Sequence, residues 1–148
     1  MQKVSVVPVQ IIDVPQVAQI EKECFAEPWS EKNILNSLKN DKFYMIAVKL
    51  DDKVLGYGGM YFVADEGYIC NVAVSRNARG QGFGKIIVNK LIECSRSKNL
   101  SFLSLEVRAS NSVAINLYAG LGFVNVGVRK NFYTSPSENA IIMTKKLI

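Results

Sequence analysis

The chain has 148 residues, 49% of them hydrophobic, and a formal net charge of +5, which together predict one folded domain over residues 1–148. It contains no histidine, which excludes histidine-based triads and histidine-ligated metals, so acid–base chemistry must use Glu, Asp, Tyr, Lys or Cys. The three cysteines form no CxxC pair. We therefore expect a cytoplasmic protein without a metal, a signal peptide or a membrane span.

The periodicity of the apolar residues predicts the elements along the chain. In chain order these are a strand (3–9), two short helices that begin after Asp13 and after Ser30, three strands (43–50, 54–63 and 68–74), a helix (83–97), a strand (100–108), a helix (112 to about 119) and two closing strands (123–130 and 140–146). Asp13 and Gln16 have the spacing of a capping box, and Ser30 is a candidate N-cap. The order predicts an α/β or α+β domain, with about four helices on a mixed sheet of seven strands.

A glycine-rich stretch stands between the strand 68–74 and the helix 83–97, and its residues 79–85 read RGQGFGK. A strand, a glycine turn and a helix N-terminus together suit an anion such as a phosphate. The spacing matches neither the dinucleotide fingerprint G-x-G-x-x-G nor the Walker loop G-x-x-x-x-G-K-[ST]. On this pattern alone, a plain tight turn explains the glycines as well as a phosphate site does.

Residues 71–84, NVAVSRNARGQGFG, resemble the acetyl-CoA motif of the GCN5-related N-acetyltransferase (GNAT) superfamily, with Gln81, Gly82 and Gly84 at its core positions. Within that superfamily the chain is similar to the RimI group, bacterial enzymes that acetylate the N-terminal alanine of a small-subunit ribosomal protein. That likeness is carried by the stretches LEVRASN (105–111), AI (114–115), LY (117–118), LGF (121–123), CF (24–25), PWS (28–30), NFY (131–133) and ENAIIM (138–143).

The resemblance implies the acetyl-CoA N-acyltransferase fold and acetyl-CoA as co-substrate. The residues implied to hold it are Val72, Ala73, Val74, Arg79, Gly80, Gln81, Gly82, Phe83, Gly84, Lys85 and Asn111. Such a fold has a bulge in the strand before the loop, which frees main-chain groups of residues 72–74 for the pantetheine amides. The side chains of Val72 and Val74 also fit an ordinary core, and Asn111 also fits a helix N-cap.

Two residues are candidates for the chemistry. Glu106 is a charged residue in an apolar strand, and the pattern alone favours a structural pair with Arg108 two residues on. The resemblance instead implies that Glu106 is the general base and that Tyr118 is the general acid. Tyr118 also fits a packing role under the sheet, and Cys70 as a nucleophile is a remote alternative.

The acceptor surface is implied less directly. Trp29, Tyr133 and Glu138 fall where the RimI group binds its acceptor, although each also fits packing or a loop charge. The resemblance implies transfer of acetyl to the N-terminal amine of a protein, such as a ribosomal protein, with no direct nucleic-acid or membrane partner. A lysine side chain or a small-molecule amine remains the alternative acceptor, and a basic binding module without catalysis is a third alternative.

Overall fold

A computed structural model describes residues 4–148 and folds them into a seven-stranded mixed sheet with four α-helices on its two faces. The strands are β1 (Val4–Pro8), β2 (Phe43–Leu50), β3 (Lys53–Val63), β4 (Glu66–Val74), β5 (Phe102–Arg108), β6 (Val124–Thr134) and β7 (Ser137–Lys146). The helices are α1 (Val14–Cys24), α2 (Glu31–Leu38), α3 (Phe83–Ser97) and α4 (Ser112–Gly120), with short 3-10 turns at Ile11–Asp13 and Arg76–Ala78. The predicted fold class and element order are confirmed.

The element bounds agree with the sequence prediction in the helices and differ at the last hairpin. Helix α3 has the predicted bounds, whereas the predicted end of the strand 123–130 and the predicted start of the strand 140–146 are wrong, because β6 and β7 continue to the turn at Ser135 and Pro136. In the first predicted strand, Lys3 lies outside the described residues. None of the helices in residues 4–148 combines the length and the apolar composition needed to cross a bilayer.

The strands lie in the order β1-β2-β3-β4-β5-β7-β6, and β4 and β5 are the parallel pair among antiparallel neighbours. Their pairing covers residues 66–68 and 102–104 only, and it stops at Tyr68 and Ser104. Beyond that point the two strands separate, so the sheet opens between them. The β4 register against β3 also shifts by one residue at Cys70, which places the expected bulge there.

Each face of the sheet carries its own hydrophobic core. Helix α3 packs its buried residues Ile87, Val88, Leu91 and Ile92 on one face, and α1 and α2 pack on the opposite face. Gly58 on β3 lets α3 approach closely, because a Cβ at that position would lie 2.4 Å from Ile87 Cγ2. We call the two faces the α3 side and the α1 side.

Of the two predicted helix caps, one is confirmed and one is wrong. Ser30 is the N-cap of α2, since its hydroxyl accepts a hydrogen bond from the Asn33 amide at 3.1 Å. The capping box of Asp13 and Gln16 does not form. Asp13 is buried and pairs with Lys49 at 2.8 Å, while Gln16 bonds the main chain at the start of β3.

Candidate active site

A cavity of about 780 Å³ lies where β4 and β5 separate. Its walls come from the end of α1 and the loop after it, the middle of β4 and β5, the start of α4, and the hairpin between β6 and β7. This volume suits a ligand much larger than a water cluster. Both predicted catalytic residues, Glu106 and Tyr118, line this cavity.

The glycine stretch leads into the N-terminus of α3. Gly80 and Gly82 have φ values of 80° and 84°, a region that glycine enters without steric cost. A Cβ at either position would meet nothing within 4 Å, so the conformation and not the packing requires glycine there. Gly82 is the N-cap of α3, and the amides of the first helical turn at residues 83–85 are free by helix geometry. The loop therefore presents N–H groups and the positive end of the helix dipole.

The basic residues Arg79 and Lys85 of the loop make different contacts. Arg79 donates from Nε to the Val74 carbonyl at 3.1 Å and from its terminal nitrogen to Cys24 Sγ at 3.1 Å, so its side chain ties the loop to β4 and α1. Lys85 is exposed on the first turn of α3. Phe83 is buried in the core on the α3 side, where it secures the helix start.

The outer half of β4 offers main-chain groups toward the opening. Residues 72–74 pair with β3 on one edge and have no β5 partner on the other, so alternate N–H and C=O groups face the cavity. The side chains of Val72 and Val74 pack on the α3 side, and Ala73 packs on the α1 side. The core packing predicted for the two valines is confirmed. It leaves main-chain groups of this edge available to a ligand, except the Val74 carbonyl, which accepts from Arg79 and Cys24.

Glu106 projects from β5 into the cavity with its side chain 8% exposed. Its carboxylate pairs with Arg129 Nε at 3.2 Å, across the intervening strand β7. The predicted structural pair with Arg108 is wrong, because Arg108 pairs with Glu138 at 3.3 Å. Tyr68 also borders Glu106, and burial together with its hydrogen bond to that carboxylate holds the pKa of Tyr68 above its ordinary value.

Tyr118 and Asn111 come from α4. Tyr118 is 8% exposed and packs edge-on against Phe123, with 5.7 Å between the ring centroids. Burial raises the pKa of Tyr118 to about 12, so its hydroxyl keeps its proton throughout the neutral range. The Asn111 side-chain oxygen accepts from the Ala114 amide at 3.1 Å, which confirms the N-cap and leaves its NH₂ group free toward the cavity.

The predicted acceptor residues are only partly brought together. Trp29 lines the cavity from the loop after α1 and Tyr133 from the β6–β7 hairpin, and the Arg108 guanidinium lies 4.2 Å from the Tyr133 ring centroid. Glu138 does not line the cavity. Its carboxylate accepts from the Ser110 amide at 2.6 Å and from Arg108. Hydrogen bonds from the Ser110 side chain, the Ser110 amide and Arg108 hold the pKa of Glu138 below its ordinary value.

Cys70 lies at the β4 bulge in the cavity wall. Burial raises the pKa of its thiol to about 12, which leaves very little thiolate near pH 7. A nucleophilic role for Cys70 is therefore disfavoured, since the thiolate is the reactive form.

One carboxylate in the cavity wall was missed by the sequence analysis. Glu21 on α1 is 1% exposed and accepts hydrogen bonds from the Trp29 amide, the Asn71 side chain and the Tyr57 hydroxyl. Its position was readable, because Glu21 stands between Val17 and Cys24 on the apolar face of the helix, where a charge is unusual.

Comparison with known proteins agrees with this geometry. A profile of the acetyltransferase (GNAT) family matches residues 14–123. The chain is 35% identical over 133 residues to the ribosomal protein bS18-alanine N-acetyltransferase of Salmonella typhimurium, covering 88% of this chain and 89% of that protein. It is 33% identical over 138 residues to the enzyme of the same name from Haemophilus influenzae, covering 91% and 93%.

The crystal structure of the ribosomal-protein-S18-alanine N-acetyltransferase from Escherichia coli has the same fold. It superposes with a TM-score of 0.90 at 31% identity, covering 98% of this chain and 94% of that one. The resemblance seen in the glycine stretch and in residues 105–123 is thereby confirmed. The chain belongs to the GNAT family of acetyltransferases.

Proposed function

We propose that this protein transfers the acetyl group of acetyl-CoA to the N-terminal α-amine of a protein whose first residue is alanine, a ribosomal protein being the acceptor that the relatives' names suggest. The observation that carries the proposal is the placement of Glu106 and Tyr118 in one cavity, at the opening between β4 and β5. In this arrangement a candidate base from β5 and a candidate acid from α4 line one cavity beside the unpaired edge of β4.

The cofactor half of the proposal rests on main-chain groups. The free amides at the start of α3 and the positive-φ glycines Gly80 and Gly82 suit the diphosphate of coenzyme A. Gln81 and Lys85 stand beside them, and the Asn111 NH₂ group supplies a further donor. The unpaired edge of β4 at residues 72–74 suits the pantetheine amides, which would extend the sheet as a short strand does.

The chemistry follows from the two side chains. Glu106 takes a proton from the acceptor ammonium, directly or through a water, and the freed lone pair attacks the thioester carbon. Main-chain N–H groups of β4 stabilise the oxyanion of the tetrahedral intermediate. When the C–S bond breaks, Tyr118 gives its proton to the departing thiolate. The nitrogen loses its second proton through water to the Tyr118 phenolate, and Glu106 returns its proton to solvent. The products are the acetylated amine and coenzyme A.

The charge of the cavity suits a cationic acceptor. In the described part of the chain the carboxylates that line it are Glu21, Glu27 and Glu106, and Arg108 is the lining cation. The site is thus acidic although the chain carries a net charge of +5. A peptide N-terminus arrives mostly as an ammonium ion and would be attracted to such a site.

The acceptor class is tested by one pair of peptides. The first starts with a free alanine, and the second has the same sequence with a blocked N-terminus and one internal lysine. An α-amine has a pKa of about 7.7–8.0 and a lysine about 10.4, so one weak base deprotonates the first far more readily near pH 7. We expect kcat/KM for the first peptide to exceed that for the second.

The contradicting outcomes identify the alternatives. Preference for the blocked peptide would make the protein a lysine acetyltransferase. Activity confined to a polyamine or another small amine would make it a small-molecule acetyltransferase. Failure of acetyl-CoA to bind in a calorimetric titration would remove the catalytic proposal altogether.

A further inference from the structure

A buried carboxylate without a role in the proposed chemistry lies beneath the acceptor wall. Glu21 is 1% exposed, and among residues 4–148 none of the ion pairs includes it. Burying a carboxylate without a cation is costly, and an amide or an apolar side chain would fill the same volume at lower cost. Burial raises the pKa of Glu21, and a carboxyl group kept at such a cost points to a task other than packing.

The three groups that donate to Glu21 come from three separate segments. The Trp29 amide, in the loop after α1, donates to Oε1 at 2.8 Å. The Asn71 side chain on β4 donates to Oε2 at 3.0 Å, and the Tyr57 hydroxyl on β3 donates to the same oxygen. One carboxylate thus joins α1, the loop after it and the neighbouring strands β3 and β4, of which β4 borders the sheet opening. Two of its three partners, Trp29 and Asn71, line the cavity themselves.

The direction of the Asn71 side chain indicates that Glu21 and its three hydrogen-bond donors belong to the acceptor side of the cavity. Along β4 the side chain of Val72 packs on the α3 side, whereas Ala73 packs on the α1 side. Because side chains alternate along a strand, Asn71 also faces the α1 side, away from the glycine loop and α3. The loop segment held through Trp29 contains Phe25 and Glu27, which line the same wall.

We infer that Glu21 is a positioning residue for the acceptor, whose buried carboxylate fixes the Trp29 main chain and the Asn71 side chain in the cavity wall without touching the reacting atoms. The inference rests on the proposed function, because it assumes an amine acceptor in this cavity. The two carboxylates then have different roles. Glu106 accepts the proton of the acceptor amine, and Glu21 holds the wall residues against which the acceptor binds.

The first experiment is steady-state kinetics of Glu21→Gln with the alanine-starting peptide. Glutamine keeps the volume and one acceptor oxygen but places an NH₂ group against donors. We expect the peptide KM to rise about tenfold, the size of one lost charge-assisted hydrogen bond. The kcat and the dissociation constant of acetyl-CoA should stay within about twofold. The matched control is Glu23→Gln, on the same helix but outside the cavity lining, which should leave all three values unchanged.

A merely structural role predicts a different pattern. A destabilised variant has a smaller active fraction, which lowers the apparent kcat and leaves the KM of the folded fraction unchanged. If Glu21→Gln does not fold, Tyr57→Phe removes one donor to the same carboxylate while it keeps the ring. It should raise the peptide KM by about twofold to threefold, less than Glu21→Gln, because the Trp29 amide and the Asn71 side chain still hold the carboxylate.

The second measurement uses fluorescence, because Trp29 is the chain's single tryptophan. Saturating the wild-type protein with peptide should change the Trp29 emission, and Glu21→Gln should shift the emission of the free protein to longer wavelength while Glu23→Gln should not. An unchanged peptide KM and unchanged emission in the folded variants would overturn the inference. A wild-type protein that acetylates no peptide would instead overturn the proposed function, so the two failures are distinguishable.

Discussion

The two sides of the cavity are built from different kinds of groups. On the α3 side the edge of β4 and the loop at residues 79–85, which lies outside the cavity lining, offer main-chain amides held by glycine conformations and by the start of a helix. On the α1 side the wall consists of side chains, among them Glu21, Trp29 and Tyr133, which are brought together from distant segments. Glu106 projects from the boundary strand β5 between them.

Because of this difference, we expect the α3 side to bind acetyl-CoA and the α1 side to select the acceptor. Main-chain amides accommodate any ligand with a diphosphate and amide groups, and they tolerate changes of side chain around them. A wall of side chains depends on each residue and on the contacts that hold it, such as the hydrogen bond from Thr134 Oγ1 to Glu27 at 2.9 Å. Substitutions on the α3 side should therefore alter acetyl-CoA affinity, and those on the α1 side should alter the acceptor.

The largest effect is expected at Glu106, which belongs to neither side. Glu106→Gln keeps the shape and can still accept from Arg129, but it has no basicity. We expect kcat with the alanine-starting peptide to fall by roughly 10²–10⁴ at pH 7, with both substrate affinities nearly unchanged.

The loss should shrink as pH rises beyond about 8, since more of the α-amine is then already neutral. A matched control is Glu93→Gln, which removes an exposed carboxylate on α3 and should leave kcat unchanged. A Glu106→Gln enzyme as fast as the wild type at pH 7 would remove Glu106 from the mechanism.

Tyr118→Phe should give the next largest effect. The ring and its edge-on contact with Phe123 are retained, and only the proton donor is lost. We expect kcat to fall by about 10², the lower end for general acid catalysis, because a thiolate is a good leaving group. The KM for acetyl-CoA should change far less. Wild-type kcat in the folded variant would leave Tyr118 with a packing role alone.

A smaller effect, confined to the α3 side, is expected from a charge at Gly82. Gly82→Asp would place a carboxylate beside the proposed diphosphate position and should weaken acetyl-CoA binding at least tenfold, about 1.4 kcal/mol. Gly82→Asn is the matched control, since asparagine enters the left-handed region about as readily as aspartate and carries no charge. Calorimetry on both folded variants isolates the charge. Equal affinities for acetyl-CoA would contradict the assignment of this loop.

The sequence predicted the α3 side better than the α1 side. Helix α3 has the predicted bounds because its apolar residues recur every three and four positions, and the glycines marked the turn before it. Glu106, by contrast, pairs with Arg129 across β7, a contact that depends on the order β5-β7-β6 and on no local pattern.

The main chain of the β6–β7 hairpin likewise depends on contacts that no local sequence pattern indicates. Residues 131–139 contain asparagine, serine and proline, which favour turns, and the predicted strands 123–130 and 140–146 leave them out. Pairing with β7 and the three hydrogen bonds of Arg108 to Pro136, Ser135 and Glu138 hold this segment as strand and turn. Such tertiary contacts override local preference, and they decide the acceptor wall.

The smallest expected effect concerns pH. The contribution of Tyr118 to kcat should stay nearly constant between pH 8 and 10.5. Burial raises the pKa of Tyr118 to about 12, so the folded protein keeps the phenol protonated where an ordinary tyrosine ionises near 10. The proton donor therefore survives through pH 10.5. Because an unfolded tyrosine ionises first, this residue favours folding below pH 10, and its contribution is lost progressively from pH 10 to about 12.

The measurement is the ratio of wild-type kcat to that of Tyr118→Phe between pH 8 and 10.5, within the range where circular dichroism shows both proteins folded. The ratio cancels the titration of the acceptor amine and of every group that the two proteins share. We expect it to stay constant within about twofold. A donor with an ordinary pKa near 10 would instead lose about fourfold of its advantage at pH 10.5. A ratio that falls in this way would show that Tyr118 is more accessible to water in the working enzyme than its 8% exposure implies.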